Sequence, residues 1–191
     1  MWRHTVVGML ALAGAGSAAA QDAGYGRTIL RLGGGVGTAD YTCAECRIDA
    51  ETGFTGLLAA TRRAGEALTV GAELTLSRTT GNNADATLLG ALATVGARGG
   101  SRAPIWGTVG LGWLWYSGVG PNSSGAALSA RAGIDLPIGP RLAISPYAGF
   151  LTMLGRDGPR VLTGPISDIN DPGARTRLMS FQLGAAITFA P

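Results

Sequence analysis

The segment Leu68–Arg78 reads LTVGAELTLSR, and its side chains alternate strictly in character. One set is entirely apolar: Leu68, Val70, Ala72, Leu74 and Leu76. The other set is small, polar or acidic: Thr69, Gly71, Glu73, Thr75 and Ser77. Successive side chains of an extended chain point to opposite sides, so a period of two predicts a β-strand with one apolar and one polar face.

The same period predicts eight strands, each of about ten residues, which is the length that a tilted membrane strand needs. They are Arg27–Gly37, Gly53–Arg62, Leu68–Arg78, Thr87–Arg98, Ile105–Tyr116, Ala126–Leu136, Leu142–Leu154 and Arg177–Phe189. The second and fourth strands alternate less clearly, because Ala and Gly stand on both of their faces. No helical pattern interrupts this series, and the fold class predicted is all-β.

The predicted connections alternate in length along the chain. Short connections follow the even-numbered strands: Arg63–Ala67, Gly99–Pro104 and Pro137–Arg141. Long connections follow the odd-numbered strands: Thr38–Thr52, Thr79–Ala86, Ser117–Gly125 and Gly155–Thr176. Short turns at one end and long polar loops at the other are typical of an antiparallel up-and-down transmembrane β-barrel, here with eight strands and four loops.

Charge decides which face points outward. Only four charged residues lie well inside the predicted strands: Arg31, Glu73, Arg131 and Asp135. Four charges are too few to solvate the outer wall of a soluble barrel, whose outward positions are usually polar. The apolar face is therefore predicted to meet lipid, and the polar face to line the lumen.

These four residues and Gln182 form the candidate site, a polar network in the lumen. The interior of an eight-stranded barrel is only wide enough for side chains to fill. Two positive and two negative groups that pair there would act as a plug. The alternative is that they lie near different ends of the barrel, where each meets water.

Composition supports a membrane barrel over other classes. The chain has 191 residues, of which 32 are Gly, 46% are hydrophobic and 14% are charged. A disordered chain would be more charged and less hydrophobic, and a cytosolic enzyme would carry more surface charge. The net charge is only +3, and no basic cluster is longer than Arg62–Arg63, so no nucleic-acid partner is predicted.

Residues 1–20 are predicted to be a signal peptide and residues 21–191 the barrel domain. Arg3 and His4 precede a short apolar run, and Ser17–Ala20 offers a cleavage site of small residues. A retained anchor is the alternative. Cleavage would remove His4, the only histidine of the chain, and would place the remainder outside the cytoplasm.

Cys43 and Cys46 lie in the first predicted loop. In an oxidising compartment two cysteines with no other partner favour a disulfide with each other. Free or intermolecular thiols are an alternative. A metal or redox site is a further one, but the acidic neighbours do not favour a low thiol pKa and no histidine is available as a ligand. No metal or cofactor is predicted.

Aromatic residues concentrate in the fifth predicted strand: Trp106, Trp113, Trp115 and Tyr116. Such a cluster favours part of an aromatic girdle at a membrane interface. Ordinary packing within the sheet is the alternative.

The whole pattern resembles the small outer-membrane β-barrels of the OmpA, OmpX and OmpW type and the porin-family β-barrel domain. The final segment Gln182–Phe189, QLGAAITF, is similar to the terminal signal of these families. Its matching positions are Gln182, Gly184, Ile187 and Phe189, and the resemblance implies that the barrel-assembly machinery reads them. It also implies the cell outer membrane as location, with lipids and lipopolysaccharide as partners.

The resemblance implies a structural or surface-interaction role through the four loops, with an unidentified surface ligand. Enzymes built on such barrels rely on a histidine base, so catalysis is not expected. Arg156, Arg160, Arg175 and Arg177 near the last loop could bind lipopolysaccharide phosphates or simply keep the loop soluble. Two other functions stay open: a narrow channel for small hydrophobic molecules, and a soluble secreted ligand-binding barrel.

Overall fold

A computed structural model describes residues 28–42, 47–80, 85–99, 103–118, 123–154 and 177–190. These residues form strands and turns, and none of them belongs to a helix that is long and apolar enough to cross a bilayer. The strands are β1 (Thr28–Thr42), β2 (Arg47–Arg63), β3 (Leu68–Thr80), β4 (Asp85–Gly99), β5 (Ile105–Ser117), β6 (Ser123–Ile134), β7 (Leu136–Pro137), β8 (Leu142–Met153) and β9 (Arg177–Phe189).

The strands close into a barrel. Strands β1 to β6 pair in chain order, β9 joins β1 to β8, and β6 pairs with β8 to complete the ring. All the pairings are antiparallel. Within the described residues closure leaves no free sheet edge, so the strands pair their backbone donors and acceptors with each other except where proline interrupts the ladder.

The two-residue β7 continues β6 after a short break. Gly133 of β6 is opposite Tyr147, and Leu136 of β7 is opposite Ile144, which is one unbroken register. In this register Pro146 is opposite Ile134. Proline has no backbone N–H to donate, which accounts for the interruption of the ladder there. The barrel therefore has eight strands, and the predicted fold class is confirmed.

All eight predicted strands are present, but three predicted loops are wrong in extent. β1 continues to Thr42 and β2 begins at Arg47, so most of Thr38–Thr52 is strand. In the same way β3 continues to Thr80 and β4 begins at Asp85, and β6 already begins at Ser123, so parts of Thr79–Ala86 and Ser117–Gly125 are strand. The predicted strands were limited to about ten residues, the length that a tilted strand needs to cross the bilayer, but a strand can continue beyond that depth. Residues 155–176 lie outside the described residues.

The two faces of the wall are assigned as predicted. In β3, the side chains of Leu68, Leu74 and Leu76 are 47–49% exposed, while Glu73 is 3% exposed. β9 repeats the arrangement, with Phe181 and Leu183 outside and Gln182 inside. The outer wall is therefore apolar, and the charged side chains whose burial the structure describes lie in the lumen or near the strand ends.

The aromatic cluster of β5 is divided between the two faces. Trp113 is 41% exposed on the outer wall, whereas Trp106 and Tyr116 are each 4% exposed and belong to the interior. The girdle prediction is thus wrong for Trp106 and Tyr116. Their even numbers place them on the opposite face of the strand from Trp113.

The lumen is polar over only part of its length, contrary to the expectation of a polar inner face throughout. At the loop end the inward positions form an apolar cluster of Leu88, Leu92, Leu114, Tyr116, Ala127, Leu151, Met153 and Leu178. Leu114, Leu151 and Leu178 are completely buried. Small hydroxyl side chains such as Ser77, Thr79 and Ser180 also face inward at the loop end, but the buried charged side chains lie in the middle of the barrel and at the turn end, where they form the candidate site.

Candidate functional site: the polar network of the lumen

A central cluster is built around the guanidinium of Arg131 on β6. Arg131 Nε donates to Glu73 Oε1 across the lumen at 2.9 Å, and Arg131 Nη2 donates to Thr75 Oγ1 at 3.1 Å. Arg131 Nη1 also donates to Gln182 Oε1 on β9. Arg131, Glu73 and Gln182 are all nearly fully buried, so one arginine cross-links three strands from the inside.

A second cluster lies towards the turn end and centres on the completely buried carboxylate of Asp135. Arg98 Nε donates to Asp135 Oδ2 at 2.9 Å, and Arg98 Nη2 is also 2.9 Å from that oxygen. Arg31 Nη2 is 3.4 Å from the same oxygen. Ser145 donates to Asp135 Oδ1 at 2.6 Å, and its hydroxyl also hydrogen-bonds Thr188. Both carboxylate oxygens are therefore satisfied.

Two inward aromatic rings cover glycines and contact the arginines. Trp106 is opposite Gly133, and Tyr147 is opposite Gly184 in the register. The guanidinium carbon of Arg31 is 4.2 Å from the centre of the Trp106 ring, and that of Arg131 is 5.7 Å from the Tyr147 ring. Cations at such distances are attracted by the ring face. The missing side chains of the glycines leave the space in which these rings lie.

Substitution of Gly133 by Ala is expected to destabilise the barrel by about 1–3 kcal/mol, the usual cost of overpacking. A Cβ at this position would lie 2.6 Å from both Trp106 Cζ2 and the Pro146 carbonyl oxygen. Urea unfolding of the purified protein in micelles measures the loss. Gly139→Ala is the matched control, because nothing lies within 4 Å of a Cβ there. Equal stability of the two variants would contradict the packing described here.

The structure brings the five predicted lumen residues together in two clusters. Arg131 joins Glu73 and Gln182, and Arg31 joins Asp135. The sequence analysis did not include Thr75, Arg98, Ser145, Thr188 or the two aromatic residues in this network. Arg98 could have been predicted to face inward, because it is four residues from Thr94 on β4 and alternate residues of a strand share a face. Which residues on opposite sides of the lumen pair with each other is not indicated by the sequence.

The other predicted sites are less informative. Ile187 and Phe189 point outward from β9 and Gly184 lies beneath Tyr147, so the assembly signal occupies an ordinary strand and its recognition stays a prediction. Cys43 and Cys46 lie outside the described residues. Within the described ranges there is no group of three or more His, Cys, Asp or Glu side chains that could hold a metal ion.

Comparison with known proteins relates this chain to others by structure. No family model matches the sequence, and no curated protein is similar to it. Neisserial surface protein A has a similar structure, with a TM-score of 0.61 at 12% identity over 85% of this chain and 96% of that one.

Two other solved structures align less closely. Ail of Yersinia pestis has a TM-score of 0.45 at 16% identity, over 86% of this chain and 99% of that one. OprG of Pseudomonas aeruginosa has a TM-score of 0.46 at 13% identity, over 87% and 97%. The likeness to Neisserial surface protein A establishes the fold, which is that of the small outer-membrane β-barrels that the sequence resembles.

Proposed function

We propose that the protein is an integral outer-membrane barrel with a closed lumen and a structural or surface-interaction role. Export would follow removal of residues 1–20, and the barrel-assembly machinery would insert the chain through the signal that ends at Phe189. The exposed apolar wall supports insertion, because contiguous apolar surface of this extent is costly in water. It also argues against the soluble ligand-binding barrel.

The network across the lumen is the observation that carries the closed state. Side chains from β1, β3, β4, β6, β8 and β9 meet in the two clusters around Arg131 and Asp135. Opening a path for ions would separate buried charges from their partners, which costs several kcal/mol for each ion. The apolar cluster at the loop end supports closure as well, because packed leucines leave little room for hydrated ions.

The surface role would reside at the loop end, where β1 and β2 extend to Thr42 and Arg47. Outer-membrane lipids and lipopolysaccharide would be the immediate partners there. Neisserial surface protein A, whose fold is similar, is a surface protein by its name. The sequence gives no indication of catalysis, and the described lumen residues do not form the pair of nucleophile and base that an activated nucleophile requires.

A gel comparison tests the membrane barrel. The protein in an outer-membrane fraction is expected to resist SDS when unboiled, because every strand is hydrogen-bonded on both sides, and to change its apparent mass on boiling. The control is the same protein unfolded in urea before loading, which should run at the boiled position. A protein that is soluble without detergent and shows no shift would mean that the apolar face does not meet lipid.

Conductance tests the closed lumen. The purified barrel in a planar bilayer is expected to give no stable open currents, because the two clusters fill the middle of the lumen. A porin with a wide channel, reconstituted in the same way, serves as the positive control. Stable currents from this protein would overturn the plug.

A channel for small hydrophobic molecules is the second candidate, and the apolar cluster of the loop end favours it. Leu114, Leu151 and Leu178 present hydrocarbon to the lumen, as a path for such molecules would require. Uptake of a hydrophobic dye by vesicles that contain the barrel distinguishes the two candidates. The closed barrel should leave uptake at the level of empty vesicles.

A further inference from the structure

A small cavity lies between the two charged clusters. Arg31 and Trp106 line it on the side of the Asp135 cluster, and Glu73 and Arg131 line it on the side of the central cluster. Thr61 of β2 and Thr94 of β4 also contribute to its wall. Its volume is about 10 Å³, which is close to the least space that one water molecule requires.

Four of the residues around this cavity have polar atoms without a partner. Arg31 Nε, Trp106 Nε1, Thr61 Oγ1 and Thr94 Oγ1 are buried and make no hydrogen bond to any described residue. Each of the four residues is 3–7% exposed, so bulk water does not satisfy these atoms. A buried polar group that stays unpaired is unfavourable, and four such groups around one small space indicate a common partner.

We propose that this cavity binds one water molecule that links the two clusters into a single network. The N–H groups of Arg31 and Trp106 can only donate, so they require an acceptor. The hydroxyl oxygens of Thr61 and Thr94 can accept. A water molecule accepts two hydrogen bonds and donates two, which matches this set of two donors and two hydroxyls.

Size favours water over chloride, because a cavity of about 10 Å³ is near the lower limit for one water molecule and a chloride ion is larger than water. The charged side chains on the cavity wall are Arg31, Arg131 and Glu73, and each arginine already pairs with a buried carboxylate, Asp135 or Glu73. Arg98 also pairs with Asp135 but is not part of the wall. The Glu73 carboxylate on the wall would repel an anion. The site depends only on the folded barrel and not on the role proposed for it.

Replacing each of the two threonines by the isosteric valine tests the site, because a water-filled cavity and a dry cavity predict opposite changes in the unfolding equilibrium constant. With water bound, Thr61→Val and Thr94→Val each lose a hydrogen bond and should raise the unfolding equilibrium constant roughly three- to tenfold. In a dry cavity the same changes remove an unsatisfied group and should lower that constant. Urea unfolding of the full-length protein in micelles, followed by circular dichroism, supplies the measurement.

Ser77→Ala is the matched control, because Ser77 Oγ is also buried and unpartnered but does not line this cavity. It should leave the constant unchanged or lower it. An NMR cross-relaxation signal between the Trp106 indole proton and a long-lived water is expected in the wild type. Stabilisation by both Val variants, absence of that signal, or stability that depends on chloride at constant ionic strength would each overturn the water site.

Discussion

Replacing Arg131 by Met is expected to lower the free energy of unfolding by about 3–5 kcal/mol, the range measured when one partner of a buried ion pair is removed. Arg131 is 4% exposed, and among the residues that the structure describes it is the only side-chain hydrogen-bond partner of both Glu73 and Gln182. Methionine fills part of the space but leaves a buried carboxylate without its counter-charge. The loss of pairing, rather than the loss of volume, should dominate the effect.

Urea unfolding in micelles measures this change, with two variants as controls. Arg78→Met removes an arginine whose pair with Asp85 spans 3.6 Å with both side chains 65% exposed, and it should cost no more than about 1 kcal/mol. The double variant Arg131→Met with Glu73→Leu should recover much of the loss, because both buried charges are gone. An Arg131→Met protein as stable as Arg78→Met would show that the central cluster does not hold the strands together.

The positions of the strands and their two faces could be predicted because both depend on local alternation. Leu74 outside and Glu73 inside follow from one period of two, whatever the rest of the chain does. The interruption at Pro146 also has a local cause, though its place depends on the register with β6. The ends of β1 and β2 could not be placed, since charge near Asp49 is compatible with a strand in water as well as with a loop.

The pairing in the lumen could be predicted only in kind. The sequence predicted that two positive and two negative inward groups pair in a narrow interior, with separate contacts to water at the two barrel ends as the alternative, but nothing in it specifies that Arg131 reaches Glu73. These residues lie on β6 and β3, which are not neighbours in the wall, so their meeting depends on the curvature and tilt of the closed barrel. Trp106 and Tyr116 are a different case: the sequence analysis assigned them to an outer girdle, although their parity relative to Trp113 is a local signal that would have placed them inside.

The outward assignment leads to the second large effect. Leu74→Arg is expected to destabilise the barrel in a lipid bilayer by about 2–4 kcal/mol, the range found for arginine on the lipid face near the bilayer midplane. Leu74 lies close to the middle of the apolar face of β3. An arginine there would have to leave its charge in hydrocarbon or distort the surrounding lipid to reach water.

Leu68→Arg is the matched control for Leu74→Arg, because the two leucines share one strand and one face. Leu68 is 47% exposed and Leu74 is 49% exposed, so a barrel in water would tolerate both substitutions equally. In a bilayer they differ in depth, since Leu68 is the first residue of β3 beside the turn 64–67. The cost at Leu68 should therefore be only about 0–1 kcal/mol. The free energy of unfolding in lipid vesicles is the measurement. Equal losses at the two positions would mean that the apolar wall does not face lipid. A larger loss at Leu74 than at Leu68 would show that the apolar residues of LTVGAELTLSR contact the bilayer.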